Sequence, residues 1–142
     1  MEITIAIKID DHELLNSKNE ETRKEVKGNC SQYAMYFDDR NPKFDGKHPE
    51  FNRIFLATQQ HYANDLLKTK GYLFLNDVYK ILGLPETKAG QIVGWVYNTE
   101  SPFGDNYVDF GIFDERNKNF INGKSNIALL DFNVDGNILE LL

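Results

Sequence analysis

The sequence predicts a single α+β domain, and three observations predict it. Strict alternation of apolar and polar residues opens the chain, a 3.6-residue period runs from Pro49, and alternation returns after Pro85. With 142 residues, 41% of them apolar and 13% aromatic, the chain is long and apolar enough for one core. Residues 1–142 are therefore read as one domain, with an N-terminal strand and charged linker over 1–30 and the main module over 31–142.

The first ten residues, MEITIAIKID, put Ile3, Ile5, Ile7 and Ile9 on one side of a half-buried strand that could join a sheet edge. In the charged stretch that follows, Ser17 and Glu20 have capping-box spacing and Glu20 and Lys24 are an i,i+4 pair. A short solvated helix or a loop fits this stretch, with Gly28 as its end. SQYAMYFDDRNPKFDGKHPEF is broken by Pro42, Gly46 and Pro49, which predicts an irregular connection packed through Tyr36, Phe37 and Phe44.

Pro49 suits the first position of a helix, and Phe51, Ile54, Phe55, Thr58, Tyr62, Leu66 and Leu67 follow its period to about Lys70, with Gly71 as the stop. A shorter helix is expected from Leu73 to Leu82, with Phe74, Val78, Ile81 and Leu82 on one side and Gly83 and Pro85 beyond it. QIVGWVYN, NYVDFGIF, NIALLDFNV and NILELL then read as four strands of an antiparallel β-meander, and Asp135-Gly136 supplies a type I′ turn for a closing hairpin.

Composition excludes several function classes. The longest apolar runs are far short of the ~20 residues that cross a bilayer, so no membrane association is expected. One cysteine, Cys30, leaves no partner for an intramolecular disulfide, and no secretory signal pattern is seen, which points to a reducing compartment. The net charge is −6. Residues 1–71 carry 11 Lys/Arg against 12 Asp/Glu, and residues 72–142 carry 5 against 10. An acidic C-terminal half argues against direct nucleic-acid binding and suits docking onto a basic partner.

The local motifs are weak. Asp131, Asn133, Asp135, Gly136 and Ile138 match the start of an EF-hand loop, but its twelfth position is Leu142 instead of a bidentate carboxylate, and no helix can follow. A hairpin explains the same letters. Asp109-Phe110-Gly111 spells a kinase tripeptide in a chain with no other kinase motif. His12, His48 and His61 are too dispersed for a zinc pattern, and Cys30 has no histidine near it in sequence.

Two constellations are left. Asp109 and Asp131, on neighbouring strands of the meander, are weak candidates for a metal or an acid–base pair; the plainer reading is the wet side of a sheet. Trp95, Tyr97, Phe103, Tyr107 and Phe113, interleaved with Asp105, Asp109 and Asp114, form the candidate protein-binding set. Some of these aromatics must face away from the core, and an exposed aromatic group in acidic surroundings is a docking surface. No catalytic residue and no cofactor is assigned.

The segments GYLFLNDVYKILGLPETKAGQIVGWVY, GDNYVDFGIFD and INGKSNIALLDFNVDGNILELL, preceded by PEFNRIFLATQQHYANDLLKTKG, resemble the C-terminal module of an uncharacterised family encoded by tailed bacteriophages and prophages. Typical members carry a hydrophobic, membrane-like segment before this module, where this chain has MEITIAIKID and a charged linker. The resemblance brings no catalytic residues. It implies a phage product acting in or on a bacterial cell.

Together these readings lead to the expectation of a non-enzymatic accessory protein, a monomer or homodimer in the bacterial host cytoplasm, that binds a host protein. Inhibition of a defence nuclease, as by an anti-CRISPR protein, is its most concrete form. The alternatives are a virion structural or assembly component and a metal-dependent hydrolase using Asp109 and Asp131.

Overall fold

The computed structural model describes residues 18–142. The expected N-terminal strand, and Ser17 of the capping box, lie outside the described residues. Residues 18–27 form helix α1, which closes just before Gly28. Glu20 pairs with Arg23 at 2.9 Å, and Arg23 also reaches Asp38 at 3.1 Å. Arg40 completes this knot at 2.7 Å from the same carboxylate. Asp38 is nearly fully buried. Burial pushes its carboxyl up, but the Arg40 and Arg23 hydrogen bonds outweigh this and hold it below the usual range.

Helix α2 (Pro49–Lys70) has the bounds its period predicts, with proline in its first turn and Gly71 closing it through a hydrogen bond from its N–H to the Leu67 carbonyl. The buried stripe is only partly the predicted one: Leu67 is buried and Phe55 and Leu66 pack against the core, but the centre of the stripe lies elsewhere. Asn52, Leu56, Ala63 and Leu67 face inward, while Phe51, Ile54 and Tyr62 are exposed. Two inward positions are small or polar, so hydrophobicity alone ranks the wrong face higher. Asn52 tolerates burial because its amide makes paired hydrogen bonds with the Asp45 main chain, at 2.8 and 2.9 Å.

Among the described residues the strands form two short sheets. β1 (Met35–Phe37) pairs antiparallel with β4 (Ala128–Leu130), so part of the predicted irregular connection is a strand. β2 (Tyr72–Phe74) pairs with β3 (Val93–Val96), and β3 pairs with β5 (Gly136–Asn137). The second helix therefore starts later than expected, with α3 spanning Leu75–Ile81 after β2. Its end is a Schellman turn, in which Leu84 N–H donates to Tyr79 and Gly83 N–H to Lys80, with Gly83 at φ 74°. Gly94 meets a different demand: a Cβ there would fall on the carbonyl oxygen of Leu73. The β2–β3 approach therefore requires glycine.

The α+β class holds, but the meander and its closing hairpin do not. β4 and β5 belong to different sheets. Asn106 is the one non-glycine residue at positive φ among the described residues. Asp135 therefore lacks the geometry of a type I′ turn. Its N–H donates to Gly94 and its carboxylate accepts from Val96 N–H at 3.0 Å, so the chain runs on beside β3 instead of turning back. A 3₁₀ turn, Leu139–Leu141, ends the chain. The short helix α4 (Lys118–Ile121) lies between β3 and β4 in the chain. Phe110 and Phe132 meet edge to face at 5.4 Å, and Trp95, Leu56, Leu73, Leu75 and Leu130 surround the same core.

Candidate functional site

Residues 106–113 read as a strand in sequence and keep half of that character. Val108, Phe110 and Ile112 are buried, while Tyr107 and Phe113 face solvent, as period two requires. Among the described residues no strand pairs with this segment. Side-chain amides take the place of a ladder. Asn64, on α2, accepts from Val108 N–H at 2.8 Å and donates to Val108 C=O at 2.9 Å, the two bonds a neighbouring strand would make. One turn earlier on α2, Gln60 accepts from Phe110 N–H at 2.8 Å.

Asn133 secures the other edge. Its Oδ1 accepts from Asp109 N–H at 2.7 Å, and its Nδ2 donates to Tyr107 C=O at 2.9 Å and to Asp105 Oδ2 at 3.1 Å. The same residue accepts the indole N–H of Trp95 on both its main-chain and side-chain oxygens. A cleft wall whose main chain is bonded to α2 along one edge and to Asn133 along the other is held in one shape before any ligand arrives.

The cleft between this wall and α2 is open, about 850 Å³, and lined by Gln60, His61, Asn64 and Lys68 on one side. Tyr97, Tyr107, Asp109, Phe113 and Asp114 line the other. Five of the eight predicted binding residues thus converge. Phe113 is 73% exposed and Tyr107 50%. Asp109 Oδ1 accepts from Gly111 N–H, and Asp114 Oδ1 accepts from the main chain and side chain of Arg116. The Arg116 N–H, aided by its guanidinium and opposed by slight burial, holds the Asp114 carboxyl below the usual range.

The remaining three fall elsewhere. Trp95 is fully buried and belongs to the core, a correction that follows from the Asn133 bonds satisfying its indole nitrogen. Phe103 is exposed but borders a separate depression with Pro102 and Leu141. Asp105 is tied to Asn133, beside the wall but outside the cleft lining. The sequence reading missed Gln60, His61, Asn64 and Lys68. Their one signal is the amide pair Gln60 and Asn64 at i,i+4 on α2.

Asp131 does not line the cleft with Asp109; its carboxylate accepts from Ser31 N–H at 3.2 Å, a contact between residues 100 apart in sequence. The EF-hand letters resolve in the same way, because Asp131, Asn133 and Asp135 each spend side-chain oxygens on main-chain N–H groups of other segments. Among the described residues no cluster of three or more His, Cys, Asp or Glu side chains could hold a metal ion, and no helix is long and apolar enough to cross a membrane.

No curated protein and no solved structure matches this chain. The model of a family of unknown function, DUF6353, matches residues 2–142, and the chain belongs to that family.

Proposed function

We propose that the protein is a non-enzymatic accessory protein that acts by binding another protein through the cleft face. The observation that carries this reading is the pair of exposed rings, Phe113 and Tyr107, presented on a wall whose main chain is bonded on both edges. Aromatic side chains of low conformational entropy on a rigid support are the composition of an interface anchor. The acidic C-terminal half suits a basic partner.

The resemblance to a phage and prophage module supplies the setting: a bacterial host protein as partner, in the host cytoplasm, with inhibition of a defence nuclease as the specific form. Affinity capture from lysates of bacteria that carry defence systems tests this. The wild-type chain retains a stoichiometric partner, and a Tyr107→Ser/Phe113→Ser variant with unchanged melting temperature loses it. Equal retention by both would move the docking surface away from the cleft, and a concentration-independent higher oligomer with no partner would favour a virion or assembly role.

A further inference from the structure

We infer that the cleft is built to take an arginine side chain of the partner; this rests on the docking reading above. The loop-side wall combines the two groups a guanidinium uses at once. Tyr107 and Phe113 offer exposed ring faces for stacking. Asp109 commits Oδ1 to the Gly111 N–H and Asp114 commits Oδ1 to the N–H and guanidinium of Arg116, and among the described residues Oδ2 of either has no hydrogen-bond donor. Each carboxylate is thereby oriented by one oxygen and presents the other.

A planar cation that stacks and donates laterally fits this wall better than a compact ammonium, which satisfies the charge but not the rings. The α2 wall argues in the same direction. Lys68 lines it, so the cleft is polarised from a side that carries a cation to an acidic, aromatic one. A single cation has one favourable side to approach. One arginine of a basic partner satisfies this wall, whereas a run of several lysines and arginines inside the cleft would meet Lys68 as well.

The test uses three peptides that differ at one central residue, arginine, lysine or citrulline, in a Gly/Ser frame, titrated into the ¹⁵N-labelled chain. The arginine peptide shifts the amides of residues 107–114, weakens as salt rises, and binds about tenfold more tightly than the citrulline peptide, the ratio expected for one charge-assisted hydrogen bond. Phe113→Ala and Asp109→Asn abolish the shifts, and Gln59→Ala, outside the cleft, retains them. Equal binding of arginine and citrulline peptides, or shifts confined to other residues, overturns the assignment. A captured partner that depends on Phe113 but is indifferent to modification of its arginines would refute the arginine clamp and leave docking in place. Absence of any Phe113-dependent partner would remove the docking reading itself.

Discussion

Asn64 is the residue on which the cleft wall most directly depends, and Asn64→Leu isolates its contribution. Leucine keeps the approximate size and favours the helix, so the main loss is that of two hydrogen bonds, 2.8 and 2.9 Å, to the main chain of Val108, beside a local one from Nδ2 to the Gln60 carbonyl. Val108 is 1% exposed, so solvent does not freely replace them. A buried main-chain group left unpaired costs about 1–3 kcal/mol, and two groups with partial relaxation cost about 2–4 kcal/mol. At roughly 3–4 °C per kcal/mol for a chain of this size, the melting temperature falls by about 6–16 °C. Urea unfolding reads the free energy directly, and Gln59→Ala serves as a control on the same helix. Asn64→Asp sharpens the test. Its carboxylate still accepts from Val108 N–H but opposes the carbonyl at neutral pH, and protonation near pH 4 restores a donor, so its deficit shrinks on acidification. A loss below about 0.5 kcal/mol for Asn64→Leu, the range of an ordinary surface change, would refute the amide ladder as the support of the wall.

Three further outcomes are expected. Ile138, which follows β5 and is fully buried, should cost about 2–4 kcal/mol on change to alanine, and removal of 137–142 should unfold the domain, both by urea titration. Asp38→Ala should destabilise by about 1–3 kcal/mol, because it removes the buried carboxylate from Arg23 and leaves it the exposed Glu20, whereas Arg40→Ala, at an exposed partner, should cost less in the same assay. Asp135 has a raised pKa, from burial and then the charge of Asp105, only partly offset by N–H donors from Val96 and Asp105. The folded state therefore takes up its proton first, and this group's contribution to stability rises as pH falls from neutrality through its raised value towards 3.8. Comparison of urea midpoints from pH 7 to pH 4 should show that slope in the wild type and its loss in Asp135→Asn; parallel curves would contradict it.

Much of the fold was legible because its signals are local. The bounds of α2 follow from Pro49 and Gly71, and the in–out alternation of Val108, Phe110 and Ile112 survives even though no strand among the described residues pairs with them. The inward face of α2 was not legible, since burial of Asn52 depends on the Asp45 main chain supplying partners for its amide. The hairpin failed for a related reason. Asp135-Gly136 is a good turn dipeptide in isolation, but Gly94 and Val96 compete for Asp135 and win.

The candidate site divides along the same line. Sequence by itself determined the α+β class, the acidic C-terminal half, and that Tyr107, Asp109 and Phe113 share one face of an extended segment, because period two is a property of the covalent backbone. Tertiary structure alone decided that Trp95 is core, that Asp131 serves Ser31 and not Asp109, and that Gln60, Asn64 and Asn133 hold the wall. An amide side chain can satisfy any main-chain group that comes within reach, so its partner is chosen by how the distant segments pack and carries no mark in the residues around it.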